Sequence, residues 1–241
     1  DLRKVRWNDI SIVFQGAMNA WNPVIKIGEQ IREAIREHHP NNTKKENTDK
    51  ISELFKIVGL DDSIMDRFPH ELSGGMKQRA VIALALSCDP KIVIADEPTT
   101  ALDVVIQDQI LKEIKKVQEL LGLSLIYISH DIAVIAEMTS NMAVMYAGSI
   151  VEMGKTSEIF SNPRHAYTKL LLESTPSIVG KKKKLRSLDG EPPSLIGDIK
   201  GCTFSPRCPE PSDNCKNQSL EMGLIEVSKG HLVDQCCVEC V

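Results

Sequence analysis

Two adjacent carboxylates, Asp96 and Glu97, directly follow the apolar run Ile92 to Ala95. Four consecutive apolar residues predict a buried strand of a parallel sheet, and open α/β sheets bind their ligands at the carboxyl ends of such strands. A magnesium ion suits this position, because it takes only one or two protein carboxylates and keeps most of its waters. Asp96 would hold the ion through a water, and Glu97 would polarise a water that attacks a bound phosphate. Without neighbouring signals, an Asp-Glu pair of this kind is usually a solvated turn.

The neighbouring signal is a helix start in the octet Leu72-Ser73-Gly74-Gly75-Met76-Lys77-Gln78-Arg79. Ser73 is a good N-cap for the apolar-rich helix that continues to Leu86. Gly74 and Gly75 leave backbone N–H groups uncovered, and helix N-termini with free N–H groups bind anions. The Ser73 hydroxyl adds a further donor. The two patterns together indicate a phosphate-binding helix end and a magnesium-dependent hydrolytic site.

The octet resembles the signature motif of ABC ATPases, and Ile92 to Glu97 resembles their Walker B strand with its catalytic glutamate. Three further matches follow in the family's order: Gln15 for the Q-loop glutamine, Thr100-Ala101-Leu102-Asp103 for the D-loop, and His130 for the switch histidine. The resemblance implies the following site residues: Glu97, His130 and Gln15 in catalysis; Ser73, Gly74, Gly75, Gln78 and Asp103 on nucleotide; Asp96, through a water, and Gln15 on Mg²⁺.

One required motif of that family is absent, because no Gly-x-x-x-x-Gly-Lys-Ser/Thr phosphate loop occurs in the sequence. The segment Gly148 to Thr156 imitates it, but five residues instead of four separate its glycines. Asn141–Tyr146 and Ser149–Met153 also predict two strands joined by a turn at Ala147-Gly148, whereas a phosphate loop joins a strand to a long helix. We therefore reject this segment as a nucleotide cradle.

The chain begins at Asp1 rather than at a methionine, in what resembles the stretch just before the Q-loop of ABC ATPases. We therefore expect a fragment whose N-terminal part, with the phosphate loop, is missing. Catalysis of phosphoryl transfer consists mostly of positioning and charge stabilisation. The fragment is accordingly expected to be inactive as an ATPase by itself.

Composition favours a subunit that does not span a membrane. Hydrophobic residues make up 42% of the 241, and the longest apolar run, Ala80 to Leu86, has seven. The length suits one sizeable α/β core with a small appendage, and the net charge of -4 argues against non-specific binding of nucleic acid. We expect a peripheral protein at the cytoplasmic face of the cell membrane, held there by protein partners.

The expected fold class is α/β, a P-loop NTPase-type (RecA-like) ABC ATPase core that is incomplete at its N-terminus. This domain covers residues 1–174 and includes a helical subdomain at about 24–86. Within it we predict helices over Val24–Glu37 and Thr48–Val58, an exposed loop from His38 to Asp49, and a long helix over Val104–Leu121 that stops at Gly122. Residues 175–200, with the basic run Lys181 to Lys184, form a predicted solvated linker.

Residues 201–241 form a predicted cysteine-rich extension, since it holds six of the seven cysteines while Cys88 reads as a core thiol. The spacing does not match a two-residue zinc knuckle. Four thiolates suit an iron–sulfur cluster or zinc, and unligated thiols are a third alternative. The candidate ligands are Cys202, Cys208, Cys215 and either Cys236 or Cys237, with Cys240 a further candidate for the fourth position.

Three segments are similar to the oligopeptide/dipeptide permease branch of the ABC ATPases, whose relatives also carry nickel: Gln15 to Val24, Asn162 to Lys169, and Gly201 to Pro209. Similar tails in that branch are associated with a [4Fe–4S] cluster. The branch implies an importer with ATP and Mg²⁺ as cofactors, a second ABC ATPase subunit, two transmembrane permease subunits and, indirectly, an extracytoplasmic solute-binding protein. The alternatives are a soluble ABC ATPase acting on DNA or ribosomes, which the acidic balance disfavours, and a metal-binding regulatory module.

Overall fold

The computed structural model describes residues 2–100, 102–174, 190–194, 196, 201–216 and 223–238. It divides into two compact units, Asp1–His130 and Asp131–Val241. The first unit holds α1 (Leu2–Val5), β1 (Ile10–Val13), α2 (Ile27–His38), α3 (Lys44–Ile57), α4 (Gly74–Leu86), β2 (Ile92–Asp96), α5 (Val104–Leu121) and β3 (Ser124–Ile128). The second holds α6 (Ile132–Met138), β4 (Asn141–Tyr146), β5 (Ser149–Lys155), α7 (Thr156–Ser161), α8 (Ala166–Ser174), α9 (Asp213–Lys216), β6 (Leu224–Ser228) and β7 (His231–Asp234).

The first unit is organised on a three-stranded parallel sheet with the order β1-β2-β3. The register pairs Val13 with Ala95 and Asp96 with Ile128. Because all three strands run in the same direction, their carboxyl ends meet at one edge of the sheet. The chain segments that begin with Gln15, Glu97 and His130 therefore leave the sheet at that edge.

One face of this sheet is covered and the other is not, within the part of the chain that the structure describes. Val13, Val93 and Ala95 are buried, and they line a small apolar cavity together with Ile82 and Leu86 of α4 and Ile114 and Val117 of α5. On the opposite face, four isoleucines are exposed: Ile10, Ile12, Ile126 and Ile128. The run Ile92 to Ala95 was expected to be a buried strand. Ile92 and Ile94 are only partly buried, because they lie on the uncovered face of the sheet.

Three helices, α2, α3 and α4, form the helical part of the first unit, with Ile31, Ile51 and Phe55 fully buried. The start predicted for α3 at Thr48 is wrong, because a capping box begins the helix at Lys44. In that box the Glu46 N–H donates to Thr43 Oγ1 at 3.2 Å, and the Thr43 N–H donates to Glu46 Oε2 at 2.6 Å. The predicted loop is correspondingly shorter.

Two predicted boundaries of the long helix α5 are confirmed. Asp103 caps its start, since Asp103 Oδ1 accepts the N–H groups of Val105 and Ile106 at 3.1 and 3.0 Å. Its end at Gly122 is in the left-handed conformation, with φ of 61°, which glycine adopts at little cost.

The second unit contains a four-stranded antiparallel sheet with the order β4-β5-β7-β6. The hairpin of β4 and β5 turns at Ala147 and Gly148, which have φ of 49° and 83°. The segment Gly148 to Thr156 therefore contains the second strand of a hairpin, which confirms that it is not a phosphate loop.

The tail strand β7 pairs with β5, so residues 224–234 complete a sheet that begins at residue 141. The sequence instead placed a domain boundary after residue 174, and most of the predicted linker, including Lys181 to Lys184, lies outside the described residues. No helix among the described residues is long and apolar enough to cross a lipid bilayer.

Candidate functional site

Glu97 is the centre of a hydrogen-bonded group at the carboxyl edge of the parallel sheet. Gln15 Nε2 donates to Glu97 Oε2 at 2.8 Å, and His130 Nδ1 lies 2.6 Å from Glu97 Oε1. Thr100 Oγ1 donates to Glu97 Oε2 at 2.9 Å. The structure thus brings together Gln15, Glu97 and His130, which the sequence places 82 and 33 residues apart.

The backbone of Glu97 is held in the left-handed region, with φ of 43°. This conformation is uncommon for a residue other than glycine. It is fixed by two hydrogen bonds: the Glu97 N–H donates to the Ile128 carbonyl at 2.9 Å, and the Thr100 N–H donates to the Glu97 carbonyl at 3.1 Å. The turn therefore sets the direction of the carboxylate before any ligand binds.

The carboxyl group of Glu97 is ionised more readily than an ordinary one. Hydrogen bonds from His130 first, then from Thr100 and Gln15, lower the pKa of Glu97 below its usual 4.5, although desolvation opposes them. The Glu97 side chain is 19% exposed and that of His130 is 80% exposed. The Glu97 carboxylate is therefore ionised at neutral pH, the state that a general base requires.

Thr100 is a member of this group that sequence reasoning did not assign to the site. It was read only as part of the D-loop match. Its position three residues after Glu97, across the turn at Pro98, is the signal that could have identified it, because residues at that spacing in a turn face each other.

Asp96 and Asp103 occupy different environments. Asp96 is the last residue of β2 and is partly buried beside Glu97. Asp103 is exposed, and its side chain serves as the N-cap of α5. A role on magnesium or on nucleotide stays a prediction for both residues.

The start of α4 has the geometry expected of an anion-binding helix end. Ser73 Oγ accepts the Met76 N–H at 3.3 Å, and both Ser73 and Gly74 are exposed. The glycines also have a packing role. A Cβ atom on Gly75 would lie 3.0 Å from Ile106 Cγ2, and one on Gly74 would lie 3.5 Å from Leu102 Cδ2. The close approach of α5 therefore favours glycine at position 75, whereas a Cβ atom at position 74 would make an ordinary van der Waals contact.

Gln78 and Arg79, the last residues of the octet, point into the protein. Gln78 is 2% exposed, and its Nε2 has no hydrogen-bond partner among the described residues. Arg79 donates to the Gly59 carbonyl at 3.2 Å and pairs with Glu113 Oε1 at 2.7 Å. Burial of Gln78 gives it a packing position, so direct contact with nucleotide stays a prediction without support from its geometry.

Several cysteines converge in the second unit. Cys236 Sγ lies 3.3 Å from Cys202 Sγ and 3.8 Å from Cys237 Sγ. Cys215 and Cys208 pack into the same apolar cluster, which includes Val144, Tyr146 and Phe204. None of the six described cysteines forms a disulfide. Cys240 lies outside the described residues.

The thiols of the cysteine group, formed by Cys202, Cys236 and Cys237, have shifted pKa values. Hydrogen bonding from Cys236 first, and His165 further, lowers the pKa of Cys202 to about 5 and that of Cys237 to about 4, against the effect of burial. The same hydrogen bonds raise the pKa of Cys236. The thiolate is the protonation state in which cysteine binds metals.

His165 belongs to this group, although sequence reasoning did not select it. It is fully buried, and its Nε2 lies 3.9 Å from Cys236 Sγ. Burial alone would lower the pKa of His165, but the sulfur atoms of Cys202 and Cys237 outweigh it and raise the pKa to about 9. The 71 residues between His165 and Cys236 left no local signal of the contact.

The electrostatics of Glu97 can be tested by replacing its partners. His130→Ala should raise the pKa of Glu97 toward 4.5, and Gln15→Ala should raise it less, because the His130 hydrogen bond has the largest effect. The measurement is a ¹³C NMR titration of the Glu97 carboxyl carbon.

The pKa of Glu97 is lower in the folded protein than in the unfolded chain. The hydrogen bonds to Glu97 therefore add to the free energy of unfolding above pH 4.5, and this contribution is lost as the pH falls through the pKa of Glu97 in the folded protein. His130→Ala should remove most of that acid-dependent loss. An unchanged Glu97 titration in His130→Ala would show that the observed contact does not persist in solution.

Two families match this chain: ABC transporter over residues 3–100, and oligopeptide/dipeptide transporter, C-terminal region, over residues 151–215. Similar solved structures include the ATP-binding cassette MJ0796, a dimer bound to ADP and Pi, with TM-score 0.56, 29% identity and coverage of 64% of this chain and 66% of that one. Another is cbiO1 from Clostridium perfringens, part of the cbiONQ transporter complex, with TM-score 0.58, 28% identity and coverage of 67% and 61%. The expected fold class is thereby confirmed.

Curated relatives show the same likeness. The oligopeptide transport ATP-binding protein AppD of Bacillus subtilis is 45% identical over 89% of this chain and 66% of its own length, and the dipeptide transport ATP-binding protein DppD of Haemophilus influenzae is 46% identical over 86% and 63%. A putative peptide import ATP-binding protein of Brucella melitensis is 44% identical over 95% and 70%. The chain thus spans about two thirds of the length of these relatives. It belongs to the ABC transporter family of ATP-binding proteins, in the group of the oligopeptide and dipeptide transport ATP-binding proteins.

Proposed function

We propose that this chain is part of the ATP-binding and hydrolysing subunit of an ABC importer that powers uptake of peptides or a related small solute. The observation that carries the proposal is the convergence of Gln15 and His130 on Glu97, at 2.8 and 2.6 Å, at the carboxyl edge of a parallel sheet. The names of the peptide-transport relatives support the choice of solute.

In this proposal Glu97 acts as the general base of ATP hydrolysis. Its carboxylate takes the proton of the attacking water, and the hydrogen bonds from Thr100 and Gln15 keep it oriented. Gln15 donates to Glu97 through Nε2, so its amide oxygen is left to bind a magnesium ion. Asp96 would hold the same ion through a water. Magnesium supplies charge neutralisation on the phosphates. The His130 side chain, which is 80% exposed, would contact the γ-phosphate.

The start of α4 serves a second subunit in the proposed mechanism. Ser73 accepts the Met76 N–H, so its own hydroxyl proton is directed elsewhere and can be donated to a phosphate oxygen. Two subunits would dock head to tail, and each nucleotide would lie between the phosphate loop of one subunit and the Ser73 helix end of the other. The dimeric cassette among the similar structures supports this arrangement.

The similarity to peptide-transport ATP-binding proteins also suggests permease subunits and a solute-binding protein as partners. Two transmembrane permease subunits would contact the segment Ala17 to Val24, where the Val24 side chain is 77% exposed. A solute-binding protein would act through those subunits. The protein would lie at the cytoplasmic face of the membrane, and its closure on ATP would be converted into alternating access.

The role of Glu97 predicts the outcome of one substitution. In a form of the protein that contains a strand and phosphate loop of this family, Glu97→Gln should reduce ATP turnover about 10²- to 10⁴-fold and leave ATP bound, because the general base is lost. Phosphate release and retained nucleotide are the measurements.

The matched control is Glu119→Gln, an exposed glutamate on α5 that should leave turnover unchanged. The 241-residue chain by itself should not hydrolyse ATP, since its sequence contains no phosphate loop. Full turnover in Glu97→Gln would refute the assigned role.

The transport function predicts which molecules copurify with the protein. From detergent-solubilised membranes, the protein should recover two integral membrane proteins, and Val24→Asp should reduce their yield because it places a charge in the proposed contact. Leu120→Asp, at an exposed position on α5, is the control. Recovery of nucleic acid would instead support a soluble ABC ATPase, and a soluble monomer that carries metal would support a regulatory module.

We further propose that the cysteine group holds a metal centre, an iron–sulfur cluster in the first place and zinc as the alternative. The donor set fits, because five cysteines pack in one cluster and two of them, Cys202 and Cys237, have a lowered pKa. The proposed ligands are Cys202, Cys208, Cys215 and either Cys236 or Cys237. Zinc–sulfur bonds of about 2.3 Å imply sulfur separations of about 3.8 Å, close to the observed 3.3 and 3.8 Å, so zinc must be tested alongside iron.

Metal analysis decides between these alternatives. Anaerobically purified protein should contain iron and acid-labile sulfide, or zinc, and Cys202→Ser should lower that content severalfold because it removes a thiolate ligand. Cys88→Ser, at a buried cysteine of the other unit, should retain it. Equal metal content in wild type and Cys202→Ser would contradict the assignment.

A further inference from the structure

We infer that His165 donates a hydrogen bond from its Nε2–H to the sulfur atoms of the cysteine group and is a positioning residue of the metal centre rather than one of its ligands. The inference rests on the proposed metal centre and adds to it a residue outside the cysteine motif.

Distance alone would make His165 a candidate ligand. The ligand atoms of His165, Cys236 and Cys237 all lie within 4.8 Å of one another, and the histidine is fully buried. A set of sulfur and imidazole donors at such distances is a common zinc site. The choice between ligand and hydrogen-bond donor therefore depends on which ring nitrogen carries a proton.

The other ring nitrogen decides this question. The Tyr167 N–H donates to His165 Nδ1 at 3.1 Å. An acceptor nitrogen carries no proton, so the single proton of the neutral ring is on Nε2, the atom that faces Cys236. A protonated Nε2 has no lone pair for a metal ion. It can instead donate to a thiolate.

The backbone that carries the ring is anchored by Glu152. Glu152 Oε2 accepts the His165 N–H at 3.0 Å, and Glu152 Oε1 accepts the Arg164 N–H at 2.7 Å. Glu152 is itself fully buried and lies 2.8 Å from His231 Nε2. A reoriented ring would leave the Tyr167 N–H without its acceptor, which is costly in a largely buried site.

Apolar packing completes the placement. The ring of His165 lies 6.0 Å from that of Phe204, two residues after Cys202. Two elements thus direct His165 Nε2 toward the sulfur atoms. Glu152 of β5 holds the His165 backbone, and Tyr167 of α8 holds the ring through Nδ1. Hydrogen bonds to ligand sulfurs tune metal affinity and the reduction potential of iron–sulfur centres.

Histidine-ring ¹⁵N NMR of the wild-type protein tests the tautomer directly. In metal-free and Zn²⁺-loaded samples above pH 9, where the ring is neutral, His165 should give the pattern of a proton on Nε2 and an acceptor at Nδ1. A metal-bound nitrogen signal in the Zn²⁺-loaded sample, or a proton on Nδ1, would overturn the inference. This measurement needs no substitution and so does not depend on how variants fold.

Substitutions separate a positioning residue from a ligand. With Zn²⁺ titrated against a chelator, His165→Leu should keep the stoichiometry of the wild type but bind about 10- to 100-fold more weakly. His165→Asn, whose amide can donate to sulfur, should recover part of the loss, and His39→Ala should match wild type. For an iron–sulfur centre, His165→Leu should shift the reduction potential to more negative values.

Loss of stoichiometry in His165→Leu equal to that in Cys202→Ser would identify His165 as a ligand and refute the inference. Unchanged affinity in His165→Leu would refute it as well. If the proposed metal centre itself is wrong, neither the wild type nor any variant will bind metal, and this result is distinguishable from the two outcomes above. In that case the ring spectrum alone decides whether the Nε2–H hydrogen bond exists.

Discussion

Parallel pairing of three strands is the constraint on which the first unit depends. Because β1, β2 and β3 run in one direction, the residues that follow them leave the sheet at one edge. The Glu97 N–H then bonds to the last carbonyl of β3, which ties the turn after β2 to the neighbouring strand. Gln15 and His130 need only short extensions of their own strands to reach the same carboxylate. The site is thus a direct consequence of strand direction and register.

The octet at the start of α4 divides between two tasks. Its first residues, Ser73 and Gly74, are exposed, and the glycines permit the close approach of α5. Its last residues, Gln78 and Arg79, point inward, and Arg79 joins α4 to the segment after α3 and to α5. A pattern that reads as one ligand-binding motif therefore combines an anion-binding helix end with the contacts that hold that end in place. Rigid support of this kind is what a preorganised site requires.

In the second unit, a buried carboxylate connects the sheet to the cysteine group. Glu152 on β5 binds the backbone at Arg164 and His165 and also contacts His231 on β7. The strands contributed by the tail are thereby joined to the hairpin that precedes them. The same contact places the His165 ring beside Cys236. A buried glutamate is costly unless its oxygens are satisfied, and here they are.

Elements with strong local signals were predictable. The octet, the Asp-Glu pair after an apolar run and the Ala147-Gly148 turn each lie within a few residues, so the sequence alone identified the family, the hairpin and both ends of α5. The start of α3 was predictable in principle from the Thr43 and Glu46 capping box, but it was missed because the surrounding residues are polar.

What the sequence determined by itself is the order of the motifs and the chemistry of their side chains, because these depend on residue type and short spacing. Only the tertiary structure decided that Gln15 and His130 reach Glu97, that Gln78 is buried and that His165 lies against the cysteines. Each of these facts depends on contacts between distant segments or on which face of a helix is covered. Local propensity contains no information about either, since both result from how the elements pack.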